Sequence, residues 1–294
     1  MPLNSVLKSA SDVASWKLPA LLDHCQTIRD DGSFIEHWGT DNARLVRVDA
    51  ANRVELPLGS QPSVADNPES AVFVGAAEGR YWFAIRGSVA NGVALRDADL
   101  SDAQLQVVTA SIAILNWWDS ASFCSVCGGK NVPQNGGFQG KCETCGKEQF
   151  PRTDPAIIVA ILDEKDRIFL AHNTGWKQNR VSILAGFVEA GESAEQACYR
   201  EIEEESNLRI QELHFFGSQP WPYPRSLMLG FFARVSSHQA KQARVDGKEL
   251  DWAGFYSREE ALELAEKGEL ILPTRVSIAS KMLRTWLAEP QLFS

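Results

Sequence analysis

The arrangement of apolar and polar positions changes character after Pro151. Before it, residues 43–48 alternate apolar with polar, and 70–76 and 80–86 read as two strands joined around Glu78-Gly79, so an antiparallel sheet is expected. Ser101, with Gln104 three residues on, forms a capping box that opens a helix through Asp119. After Pro151 the pattern is different. Residues 156–162 are an unbroken aliphatic run suited to a buried strand, and 168–172, 182–185, 213–217 and 226–235 read as further strands. Helices are expected at 261–267 and 276–287.

Between these strands lies the most informative stretch, residues 186–208, GFVEAGESAEQACYREIEEESNL. Gly191 supplies a turn and Ser193 a cap for a helix over 194–206. On that helix Glu201, Glu204 and Glu205 fall within one narrow arc, beside Ala194, Ala197, Cys198 and Ile202, whereas Gln196, Tyr199 and Glu203 line the far side. A solvated helix surface is the ordinary reading of a glutamate cluster, and here it fits Glu203 only. Like charges on an inward arc repel, and a hard divalent cation with carboxylate ligands removes that conflict. Arg200 is placed to hold one carboxylate by a bidentate pair.

The chain has 294 residues, 44% hydrophobic and 23% charged, ordinary for a soluble protein of more than one domain. Its apolar runs are far shorter than a membrane span and its start lacks a secretory pattern, so a cytoplasmic protein is expected. A net charge of −9 argues against broad binding to nucleic-acid backbones and leaves a phosphate-bearing substrate dependent on local cations. Four of the six cysteines, Cys124, Cys127, Cys142 and Cys145, form two C-x-x-C knuckles, which in a reducing compartment read as a closed, structural zinc site. The segment is too short to bury a core, so metal ligation must supply much of its folding energy. Its basic residues Lys130, Lys141 and Lys147 are a thin set for nucleic-acid binding. Cys198 is expected to be a packed small hydrophobe, and Trp117-Trp118 core or interface.

Gly186, Glu192, Arg200-Glu201, Ile202, Glu204-Glu205 and Leu208 stand at the spacing of the Nudix box, with Asn207 where that family usually has glycine. Asparagine tolerates the left-handed conformation that such a helix end needs. Downstream, residues 218–226 (SQPWPYPRS) carry three prolines with interleaved aromatics, expected as a rigid loop. Placed after a Nudix box, this stretch resembles the signature of the NADH pyrophosphatase subfamily, with Tyr223 in place of its usual phenylalanine. The resemblance implies a Nudix fold, a mixed sheet sandwiched between helices, over 151–294; with the cysteine knuckles read as a zinc ribbon over 123–150 and the strand signals as a β-rich N-terminal domain over 1–122, an α+β chain is expected.

It further implies magnesium- or manganese-dependent hydrolysis of the diphosphate of NADH or NAD to AMP and nicotinamide mononucleotide, removal of NAD caps from RNA, and a homodimer without membrane contact. Carried over by position, Glu201, Glu205, Glu249 and the Ala185 carbonyl hold the catalytic metal. Phe150 and Phe187 sandwich the nicotinamide, Ala279 is a C-terminal substrate contact and Arg96 a candidate phosphate contact. Gln219, Pro220, Trp221, Pro222, Tyr223, Pro224, Arg225 and Ser226 form the substrate stretch; Glu204 or Glu205 orients or deprotonates a metal-activated water, with Glu201 and Arg200 the other catalytic residues. Two other readings stand beside this one. The substrate is another dinucleotide or ADP-ribose; or the chain is a non-hydrolytic dinucleotide sensor that uses its zinc ribbon on a partner, a role that would not require Arg200, Glu201, Glu204 and Glu205 to be present together.

Overall fold

The structure, a computed structural model, describes residues 19–245, 247–273 and 276–289. Residues 1–18 of the expected N-terminal domain lie outside these, as does Asp246 in the segment that leads to Glu249. The chain divides into two compact units, one built from Pro19–Thr153 with Pro220–Ser226, the other from Asp154–Gln219 and the described residues from Leu227 on. No helix among the described residues is long and apolar enough to cross a membrane.

In the first unit a short helix α1 (Gln26–Asp30) precedes strands β1 (Ala43–Val48), β2 (Arg53–Val54), β3 (Val72–Ala77), β4 (Arg80–Arg86) and β5 (Val93–Ala94), in sheet order β3-β4-β1-β2-β5. Glu78 and Gly79, both at positive φ, turn the expected β3–β4 hairpin. The sheet is nevertheless mixed, because β1 runs parallel to β4. Leu45, Val46 and Val48 of β1 are all buried, as suits a central strand, and the β1–β2 and β3–β4 hairpins join through β1 and β4. Helix α2 (Asp102–Ser120) forms both bonds of its capping box and lays Val107, Val108, Ile112 and Leu115 on one face of this sheet. Its end meets the cysteine segment: Trp118 Nε1 donates to the Gly137 carbonyl at 2.7 Å and Asn131 Nδ2 to the Ala121 carbonyl at 2.7 Å. That segment is a three-stranded sheet, β6 (Asn131–Gln134), β7 (Gln139–Cys142) and β8 (Glu148–Gln149).

The second unit is organised by β9 (Asp154–Asp163), whose aliphatic run is buried on both faces. Strands β10 (Ile168–Asn173) and β11 (Leu184–Phe187) pair antiparallel with it. β11 begins two residues later than the pattern suggests, Ser182 making only a bridge to Ala171. After helix α3 (Ala194–Ser206) come β12 (Glu212–Trp221), β13 (Ser226–Val235), a short helix α4 (Ser237–Ala240), β14 (Leu250–Tyr256), α5 (Arg258–Glu266) and α6 (Ile278–Ala288). β12 runs on through Pro220 into the stretch expected to be all loop. It is the edge strand of the order β12-β13-β9-β10-β14, where a missing N–H is tolerated. β14 has no counterpart in the expected elements.

Alternate residues of β9 enter two cores. Ile157, Val159 and Ile161 pack with Ala197, Cys198 and Ile202 of α3. Ile158, Ala160 and Leu162 pack with Ala261 of α5 and with Ile278, Met282, Leu283 and Trp286 of α6. The sheet is therefore sandwiched between helices, as expected. Trp286 is fully buried and donates through Nε1 to the Asp166 carbonyl at 2.9 Å, with the Arg258 guanidinium over its ring. Trp286→Ala is expected to cost about 3–5 kcal/mol, read as a lowered urea midpoint for this unit.

Candidate active site

Helix α3 is cut to length by its own sequence. Ser193 Oγ accepts from Gln196 N–H at 3.1 Å, Gln196 Oε1 accepts from Ser193 N–H at 2.9 Å, and Asn207 ends the helix at φ 56°, ψ 22°. Its apolar face is fixed on β9 by Ala197, Cys198 and Ile202, all with no exposed surface. Burial pushes the Cys198 thiol up to about 12, so it behaves as a packed hydrophobe.

That docking separates the three arc acids. Glu205 is buried and the Glu201 side chain is only 16% exposed, while Glu204 is 62% exposed, close to the 53% of Glu203. The inward stripe thus holds two acids rather than three, since Glu204 lies at the edge of the arc and clears the sheet. The Glu201 carboxylate sits against Gly186 of β11, so closely that a Cβ there would overlap its carboxyl carbon. Only glycine permits this approach.

Arg200 ties these groups together. Its Nε and Nη2 donate to the two oxygens of Glu192, each at 2.9 Å, and Nη2 also donates to the Phe187 carbonyl at 3.0 Å. Nη1 lies 2.9 Å from Glu201 Oε1 and 3.3 Å from Glu204 Oε2. The expected bidentate pair exists, with Glu192 as its partner rather than an arc acid. Arg200 holds the Glu192 carboxyl below the usual carboxylate range, and Glu192 in turn raises the guanidinium.

Ala185 lies on β11 opposite Ile158. Glu249 is exposed, and its backbone is anchored by Thr174, whose N–H donates to the Glu249 carbonyl at 2.9 Å and whose hydroxyl donates to the Lys248 carbonyl at 3.2 Å. Two residues on, Asp251 Oδ1 is 2.7 Å from the buried His172 Nδ1, a contact that lowers the Asp251 carboxyl. Nothing in the strand pattern singled out this pair. Phe187 is 56% exposed and Phe150, in the other unit, 45% exposed, both unusual for phenylalanine. Gln219 is buried; its Nε2 donates to the Val276 carbonyl at 2.7 Å and its Oε1 has no protein partner. Ala279 packs into the α6 core, so its side chain is not on a surface. Trp221, Tyr223, half-buried Arg96 and the rest of the 220–226 stretch belong to the first unit, with the Trp221 and Tyr223 rings 5.2 Å apart.

The four cysteine sulfurs converge within 4.8 Å of one another, Cys124 to Cys145 at 3.8 Å and Cys127 to Cys142 at 3.4 Å. Four thiolates around one tetrahedral ion at about 2.3 Å stand about 3.8 Å apart, so the quartet fits such an ion. Val126 N–H donates to Cys124 Sγ and Cys145 N–H to Cys142 Sγ, and these backbone donors lower both thiols. Among the described residues this is the one group of His, Cys, Asp and Glu to converge so tightly. Glu192, Glu201 and Glu204 are instead spread around the Arg200 guanidinium. As oxygen donors, one cradled on a glycine and one buried, Glu201 and Glu205 suit a hard cation.

A six-stranded sheet between helices, with a glycine-seated, arginine-tied glutamate helix after β11, is the Nudix fold. A model of the NUDIX domain matches residues 152–273. Proteins named NAD-capped RNA hydrolase NudC from Mycobacterium bovis and Mycobacterium tuberculosis are each 37% identical over 276 residues, 85% of this chain and 88% of theirs. A NUDIX hydrolase structure from Nitrosomonas europaea covers 59% of this chain and 94% of its own at 21% identity and TM-score 0.42. The chain belongs to the Nudix hydrolase family and, within it, to the NADH pyrophosphatase subfamily, as its box and its proline-aromatic stretch imply.

If Gly186 exists to seat the Glu201 carboxylate, Gly186→Ala displaces the end of a flexible side chain and not the backbone. It is expected to weaken Mn²⁺ binding, measured by electron paramagnetic resonance, by roughly 10–100-fold with little change in melting temperature.

Proposed function

We propose that this protein is a metal-dependent diphosphatase that hydrolyses NADH or NAD to AMP and nicotinamide mononucleotide and removes NAD caps from RNA 5′ ends. The activity for which the NudC relatives are named, with their similarity extending over 85% of this chain, supports the substrate. The observation that carries the chemistry is the Arg200 hub, which holds Glu192 bidentately and Glu201 by a third contact, leaving Glu205 buried four residues on. A non-hydrolytic sensor has no use for such an arrangement.

In this reading Glu201, Glu205, Glu249 and the Ala185 carbonyl hold Mg²⁺ or Mn²⁺. When bound, the cation neutralises charge on the diphosphate and lowers the pKa of the attacking water. Arg200 fixes the rotamers of Glu192 and Glu201 and so keeps Glu201 from swinging to solvent. Glu204, exposed and 3.3 Å from Arg200, is free to turn toward an attacking water and orient it or take its proton, a role it shares with Glu205. Phe150 and Phe187 offer exposed rings for nicotinamide stacking, Arg96 a cation for a phosphate, and residues 219–226 the contacts that select the nucleoside. Zn²⁺ in the cysteine quartet is structural, because four thiolates leave no open position. A homodimer and a cytoplasmic setting complete the proposal and rest on the resemblance.

Full-length protein incubated with NADH and Mg²⁺ or Mn²⁺ is expected to yield AMP, resolved by chromatography, and to stop on adding a chelator; ADP-ribose consumed in preference to NADH would overturn the substrate. Glu205→Gln is expected to lower kcat by about two orders of magnitude or more with melting temperature near wild type. Elemental analysis should find one zinc per chain, with Cys142→Ala losing both the zinc and the fold of its segment.

A further inference from the structure

Asn116, on α2, makes three hydrogen bonds with its side-chain amide. Nδ2 donates to the Pro222 carbonyl at 2.9 Å and to the Pro224 carbonyl at 3.0 Å, while Oδ1 accepts from Arg86 Nη2 at 2.5 Å. Arg86 is itself fixed, donating to the Asp119 carboxylate at 2.6 Å and to the Asp49 carbonyl and Asn52 Oδ1 at 2.9 Å each. A guanidinium has no acceptor, so the amide oxygen must face Arg86 and the amide nitrogen must face the proline stretch. The orientation of Asn116 is decided by its neighbour.

The stretch needs such a donor. Pro222 and Pro224 carry no N–H, which leaves a loop short of internal hydrogen bonds whose carbonyls still require partners. Its one backbone bond of this kind runs from Tyr223 N–H to the Trp221 carbonyl at 2.8 Å. Between the two clamped carbonyls, the Tyr223 ring packs on the apolar core that α2 shares with its sheet.

We propose that Asn116, aimed by Arg86, is a positioning residue for substrate selection: it holds the 220–226 stretch in the conformation that grips the nucleoside end of the dinucleotide. This gives the N-terminal unit a role in specificity. Asn116 touches no reacting atom and acts through the loop. The inference rests on the proposed reading of residues 219–226 as the substrate stretch.

Asn116→Asp tests it with minimal change of shape. The carboxylate still accepts from Arg86, but it has no N–H for the two proline carbonyls and repels them. The KM for NADH is expected to rise about tenfold with kcat within about twofold of wild type. In hydrogen-exchange mass spectrometry of the full chain without substrate, the Trp221 and Tyr223 amides should exchange faster while β9 stays protected. Asn116→Ala carries the same expectation should Asn116→Asp fail to fold. Trp221→Ala, run in parallel, tests the underlying reading: an unchanged KM there would remove the loop from the substrate site and bring the inference down with it. A raised KM in Trp221→Ala beside wild-type KM and exchange in the Asn116 variants would keep the loop reading and overturn the clamp. A fall in kcat and melting temperature with KM unchanged in both Asn116 variants would make the residue one of fold alone, which also overturns it.

Discussion

The catalytic unit depends on how one guanidinium is shared among three carboxylates. Glu192, Glu201 and Glu204 all reach Arg200, which also accepts a backbone tether by donating to the Phe187 carbonyl. Charge-assisted bonds of this kind are firmest where two parallel contacts fix the geometry, as between Arg200 and Glu192, and contribute little where solvent screens a single contact, as at Glu204. The gradient matters more than the sum. Arg200 locks the turn before α3 to the helix itself, holds Glu201 firmly and Glu204 loosely, and leaves Glu205 to the interior. Acids that would otherwise repel across adjacent turns become a graded set, two constrained and one free to move.

This arrangement rests on β9. Because its residues enter the two cores alternately, the sheet has α3 on one face and α5 with α6 on the other, and none of the three can slide without opening a core. β11, paired to β9 from Leu184↔Val159 to Phe187↔Ala156, then presents Gly186 at the spot where the Glu201 carboxylate lands. Backbone register in the sheet and rotamer choice on the helix are thereby one constraint. An error of one residue in β11 would put a Cβ where the carboxylate sits.

Much of this was legible in the sequence, for identifiable reasons. Helix α3 is bounded by signals that act locally, a capping box at one end and an asparagine suited to φ 56° at the other, and its span follows from them. The cysteine quartet is likewise written in spacing. What escaped depended on partners distant in the chain. Parallel pairing of β1 with β4 is a choice between hairpins, not within one. β12 passes through Pro220 because it lies at the sheet edge, which no local pattern discloses. Glu204 turned outward because helical periodicity gives an arc but not the line along which the helix meets its sheet. Asn116 sits in an apolar helix beside two tryptophans, and the proline carbonyls it binds are more than a hundred residues away.

The division between chemistry and selection follows from the same physics. Gripping a cation beside a phosphoanhydride requires closely packed carboxylates on rigid elements, and a helix locked to a central strand supplies that for many substrates alike. Choosing one nucleoside requires a surface shaped to it, and a proline-rich strand end is stiff in its torsions yet poor in internal hydrogen bonds, so its shape must be completed from outside. Here the completing groups are Asn116 and the core beneath Tyr223, both in the unit that also carries the cysteine segment. A metal held by the cysteine quartet would also steady the helix from which Asn116 projects, through the Trp118 to Gly137 and Asn131 to Ala121 bonds. The cysteine quartet and the proline-rich stretch are thereby linked through one helix.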